Sequence, residues 1–117
     1  MKKVVIAFDC DGTLVTTDSA ETGRVVANER IRSMLVTFAS FKNTKIVVWS
    51  GSGEMWARQV ARELGLTKYV DVFASKNHLG KDESGKHLFN PDIKPDLAID
   101  DIQDCELGLL NLIVREK

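Results

Sequence analysis

Residues 4–14 read Val-Val-Ile-Ala-Phe-Asp-Cys-Asp-Gly-Thr-Leu, and the fold is decided there. The first five, Val4 to Phe8, are apolar without a break. A short β-branched run of this kind suits a strand buried on both faces, as in a parallel sheet. It stops on two carboxylates, Asp9 and Asp11, followed at once by Gly12. Residues two apart in an extended chain point the same way. Both acids therefore start on one side, at the carboxyl end of a central strand, where open α/β sheets place their ligands. Two carboxylates held this close repel, and one stays protonated unless a cation sits between them.

Moving outward, Thr16 to Gly23 is small and polar and reads as a loop or flap over that strand end. Asn28 is placed to cap a helix. Ile31, Met34, Leu35, Phe38 and Phe41 follow at helical spacing, giving one core-facing apolar side. Lys45 to Trp49 is a second strand and runs into Ser50-Gly51-Ser52-Gly53. Trp56, Val60 and Leu64 mark a second helix, stopped by Gly65. The N-terminus of that helix favours an anion, while Arg58 and Arg62 on it read as solvated. Tyr69 to Ser75 is a third strand, ended by Lys76.

Asn77 to Lys94 is a long connection, with a hairpin expected to turn near Glu83-Ser84-Gly85. His78, Lys81, Lys86 and His87 on it are candidate substrate contacts, although solvation is the commoner fate of such loop residues. Leu97 to Ile99 is a fourth strand ending on Asp100 and Asp101. Adjacent carboxylates on a strand point to different sides, so only one of the pair should bind a metal directly. Asp104 could cap a short helix after it. Asn111 to Val114 is a last edge strand, followed by the charged Arg115-Glu116-Lys117. Cys10 lies between two acids but points away from them, as a small core residue.

Composition narrows the function classes. The chain has 117 residues, enough for one domain with a sizeable core. With 44% hydrophobic and 28% charged residues it is globular rather than disordered. A net charge of −1 gives no long-range pull on nucleic acid or an anionic membrane. Cys10 and Cys105 have no metal-ligand spacing and form no framework, so a reduced cytoplasmic compartment is expected. The five-residue apolar run is too short for a signal core or a membrane span.

Asp9-Cys10-Asp11-Gly12-Thr13-Leu14 resembles the first motif of the haloacid dehalogenase-like phosphohydrolases, D-x-D-G-T-L. Ser50, at the end of the second strand, resembles their second motif, and Asp100-Asp101 their fourth. The third motif is a lysine. Lys94, in a Lys-Pro-Asp run, precedes the fourth strand at the end away from the site, whereas Lys76 follows the third strand on the same side as Asp9. Topology favours Lys76.

The resemblance implies a three-layer, Rossmann-like α/β fold: a parallel sheet of about five strands, helices on both faces, no cap domain. It implies a phosphatase in which Asp9 attacks phosphorus to give an aspartyl-phosphate, with Asp11 as general acid and base. Ser50 and Lys76 would hold the phosphoryl oxygens. Mg²⁺ would be bound by Asp9, Asp11 through its carbonyl, and Asp100, with Asp101 acting through water or a hydrogen bond. Relatives that pump ions or cleave carbon–halogen bonds usually lack the second acid, so Asp11 points to a phosphatase or phosphomutase. Some relatives carry Arg at position 52, where this chain has Ser.

Without a cap the site should be open, suited to a bulky phosphate ester or to a small one covered by a second copy of the chain. Nucleic acid enters only as a substrate, and no membrane is involved. A non-catalytic metal- or phosphate-binding module on the same fold is the competing reading. A receiver domain fits poorly, because its acceptor aspartate should follow the third strand, where this chain has Ala74-Ser75-Lys76.

Overall fold

The computed structural model describes residues 2–16, 19–102 and 106–115. Strands β1 (Val4–Asp9), β2 (Thr44–Ser50), β3 (Val72–Ser75), β6 (Leu97–Asp100) and β7 (Leu110–Ile113) form one parallel sheet in the order β3-β2-β1-β6-β7. Strands β4 (His78–Lys81) and β5 (His87–Phe89) form a separate antiparallel hairpin. The helices are α1 (Ser19–Thr22), α2 (Glu29–Ala39) and α3 (Glu54–Glu63). No described helix is long and apolar enough to cross a membrane.

The apolar run at Val4 to Phe8 is the centre of the sheet, paired with β2 on one side and β6 on the other. Its side chains alternate between two cores. Ile6 and Phe8 pack with Ile46, Val48 and Ile99 against Leu35 of α2 and Ala57, Val60 and Ala61 of α3. Val5 and Ala7 face the other way, with Val47, Trp49, Ala74 and Ala98, under Phe89, Ile93, Ile102 and Leu107. Crossovers between parallel strands are right-handed. The two steps β1–β2 and β2–β3 run in one direction along the sheet and so place α2 and α3 on one face. The chain then doubles back from β3 to β6, and its connection is forced onto the opposite face. Among the described residues that face is covered by the hairpin and loop segments rather than by a helix.

Several expected boundaries shift. The stretch Thr16 to Gly23 is not all loop, since α1 occupies part of it. Helix α2 begins after Asn28 as expected, but the Asn28 side chain makes no capping hydrogen bond. Phe41 lies beyond the end of α2, exposed, with its ring edge-on to Phe38. Helix α3 ends as its sequence demands: Gly65 takes φ 71°, and its N–H and that of Leu66 donate to the carbonyls of Arg62 and Ala61. Tyr69 is not in the third strand. It closes a 3₁₀ turn, Thr67–Tyr69, its N–H donating to the Leu66 carbonyl, and the strand itself starts only at Val72. The hairpin turns where expected, with the Asp82 carboxylate accepting from the N–H groups of Ser84 and Lys86. Strand β7 is the expected edge. Asp104, Cys105, Glu116 and Lys117 lie outside the described residues.

Candidate functional site

Parallel strands deliver their last residues to one sheet edge, and here β1, β2 and β6 end on Asp9, Ser50 and Asp100. Beside them, just past β3, lies Lys76. All four are buried. The Lys76 ammonium, 2% exposed, donates to Asp9 Oδ1 at 2.8 Å and to Asp100 Oδ2 at 2.9 Å. The second oxygen of Asp9 accepts from the Thr13 hydroxyl at 3.2 Å, and the second oxygen of Asp100 from the Ile102 N–H at 3.1 Å. Both carboxylates are thus fixed from two directions. Lys94 is exposed and lines a different cavity, whereas Lys76 bonds both acids.

Asp101 departs from the sequence reading. The alternation rule set it on the opposite side from Asp100, yet carboxylate oxygens of Asp9, Asp100 and Asp101 lie within 4.8 Å of one another. The reason is local: β6 ends at Asp100, and Asp101 sits in a bend where strand alternation no longer applies. Gly12 makes room for it. It has φ 81°, and a Cβ there would overlap the Asp101 carboxylate. We expect Gly12→Ala to cost about 1–2 kcal/mol from backbone strain alone and to weaken divalent-cation binding by displacing Asp101. Urea unfolding and a cation titration check both effects; unchanged values in both would contradict this packing.

Three acids against one lysine leave the group short of positive charge. Burial pushes the Asp9 carboxyl well above its ordinary value even though Lys76 pulls it down. Burial also raises Asp101, to about 6, with a hydrogen bond to Asp9 opposing and one to Asp100 adding. For Lys76 burial acts downward, but Asp9 and Asp100 outweigh it and hold the ammonium above its ordinary value. A hard divalent cation taking oxygen ligands would relieve the excess negative charge, so the donor set fits such an ion.

Asp11 is placed differently. It lies beyond β1, and its Oδ1 accepts from the Trp56 indole N–H at 3.2 Å. Its side chain is not part of the three-acid group. The Trp56 contact escaped the sequence reading, which gave that residue only to the apolar side of α3. A half-buried tryptophan needs a partner for its N–H, and the acids beside the first strand were the nearest candidates. Cys10 packs in the helix-side core as expected, its thiol raised by burial and then by Asp9 and Asp11.

The acids open onto a cavity of about 260 Å³ lined by Asp9, Asp11, Ser50, Lys76 and Asp101 on the sheet side. Gly51 and Ser52 contribute the turn into α3, and the Ser50 hydroxyl accepts from the Ser52 N–H at 2.9 Å. The far wall is the hairpin, through His78, His87 and Phe89. Both histidines line the cavity while keeping contact with solvent, His78 exposed and His87 half-buried. Lys81 and Lys86 remain exposed and do not line this cavity. Arg58 is also exposed, paired with Glu54 at 2.9 Å and lying over Phe73, while Arg62 is exposed in the last turn of α3.

No protein-family model, curated protein or solved structure matches this chain.

Proposed function

We propose that this chain is a phosphate-monoester hydrolase of the haloacid dehalogenase-like type, using a hard divalent cation, Mg²⁺ by preference. The observation that carries this reading is that Asp9, a buried carboxylate fixed by Lys76 and Thr13, shares one cavity with Ser50, Lys76 and Asp11. The strand order, with Asp9 ending the central strand, supports a Rossmann-like sheet, with helices on one face and the hairpin on the other among the described residues. A cytoplasmic setting fits the two cysteines.

The residues divide the work. An Asp9 oxygen attacks phosphorus in line, and the ester P–O bond breaks as the aspartyl-phosphate forms. Asp11 gives its proton to the departing oxygen. It then takes one from the water that hydrolyses the aspartyl-phosphate, releasing phosphate and restoring Asp9. Trp56 holds one Asp11 oxygen, which limits the directions from which the acid can serve. Ser50 and Lys76 bind the phosphoryl oxygens. Asp9, Asp100 and Asp101, with the Asp11 carbonyl, would hold the cation, which offsets repulsion between the nucleophile and the incoming phosphate.

The test is release of p-nitrophenol from its phosphate. Turnover should require Mg²⁺ and fall about a thousandfold or more in Asp9→Asn. No turnover on a broad panel of phosphate esters would instead favour a binding module.

A further inference from the structure

The hairpin wall has a chemistry of its own. On β5, His87 and Phe89 are two apart and share a face. His78 pairs across the hairpin with Phe89 and joins that face. The three rings pack together, with His78 to Phe89 at 5.0 Å between centroids and His87 stacked on Phe89 at 6.2 Å. The Lys76 ammonium lies 4.9 Å from the centre of the Phe89 ring, which ties this wall to the phosphate-binding side. A nitrogen of each imidazole is used on the other, His78 Nε2 to His87 Nδ1 at 2.9 Å.

That bond fixes what the pair can offer outward. Between two neutral imidazoles one inner nitrogen donates and the other accepts. Whichever way round this is, one outer nitrogen is then an N–H and the other a lone pair. A neutral pair thus offers one donor and one acceptor, the complement of a hydroxyl group or of two neighbouring ones. A protonated pair would offer two donors and a charge, the complement of an anion. Burial, then Lys81, His78 and Lys76, lower His87 against an opposing effect of Asp100, which favours its neutral imidazole.

We propose that His78 and His87 form the leaving-group subsite and select phosphate esters of hydroxyl-bearing alcohols. The inference rests on the phosphatase reading above and says which esters that site prefers. The two histidines act as specificity-determining residues, touching the alcohol and not the phosphorus.

A matched pair of substrates tests it: glycerol phosphate, and n-propyl phosphate, which is alike in size and lacks the two free hydroxyls. The ratio of their kcat/KM values is read on one enzyme preparation with Mg²⁺, so the fraction of folded protein cancels. Wild type should favour glycerol phosphate by about tenfold or more. That ratio should fall towards unity in His78→Phe and in His87→Phe. Equal efficiencies in wild type, or a ratio that survives both substitutions, would overturn the subsite and leave the phosphatase reading standing. A preference for a hexose bisphosphate over the monophosphate that disappears in the variants would overturn the hydroxyl assignment in favour of an anion. If no ester is turned over at all, both readings fall.

Discussion

Lys76→Met should abolish phosphate-ester turnover and lower the stability of the cation-free protein by about 3–5 kcal/mol at neutral pH. The methionine keeps most of the side-chain volume, so the loss is one of charge. Two buried carboxylates, Asp9 and Asp100, would each lose the partner that now sits within 2.9 Å of one oxygen. The contact of the ammonium with the Phe89 ring would go as well. Part of the cost is avoided if the acids take up protons, so the penalty should shrink as pH falls. Lys94→Met is the control. Lys94 is exposed, and its substitution should stay within about 0.5 kcal/mol of wild type. Urea unfolding of both variants at pH 7 and pH 5 settles the matter; a loss below about 1 kcal/mol in Lys76→Met would mean that the lysine is not the counter-charge described above.

Removing divalent cations should make stability fall as pH rises from about 4 to 7. Asp101 titrates near 6 in the folded chain against an ordinary value of 3.8. Between those values the native state holds a proton that the unfolded chain has lost. The stabilisation linked to that proton is complete below the unfolded value and is lost as pH climbs through 6. Asp9, also raised, acts in the same sense. Asp101 is only half-buried, and solvent screening brings its contribution down to about 1 kcal/mol. Saturating Mg²⁺ should reverse the trend, adding about 3 kcal/mol at a hundredfold excess over its Kd, with most of the gain above pH 6. Asp101→Asn should flatten the pH slope of the cation-free protein and weaken the response to Mg²⁺. Thermal melts across pH, with chelator and with Mg²⁺, read both. A cation-free protein equally stable at pH 4.5 and pH 7, and indifferent to Mg²⁺, would remove the case for a metal at these acids.

Much of the candidate site could be read from the chain because its residues sit where local patterns change. An apolar run that ends abruptly on an acid or a hydroxyl marks a strand end, and Asp9, Ser50 and Asp100 were each visible in that way. The hairpin was equally visible, since Glu83-Ser84-Gly85 breaks an otherwise extended stretch. Local pattern misled where a strand stops. The rule that neighbours point apart holds inside a strand, and Asp101 lies one residue outside. Tyr69 looked like strand because its neighbours Val70 and Val72 are β-branched, but the turn following Gly65 claimed it first.

By itself the sequence determined the order of the five sheet strands and of α2 and α3, the apolar periods that make them, and the acids and hydroxyl at the carboxyl edge. These are local properties, written in residues a few positions apart. Only the tertiary structure decided that Lys76, already expected on the Asp9 side, bonds both Asp9 and Asp100, that Trp56 serves Asp11, and that two histidines form the far wall of the cavity. Such contacts depend on the side to which each crossover turns and on which strand it lands beside. No window of sequence carries that information, because it follows from the handedness of the connections and from packing both faces of one sheet at once.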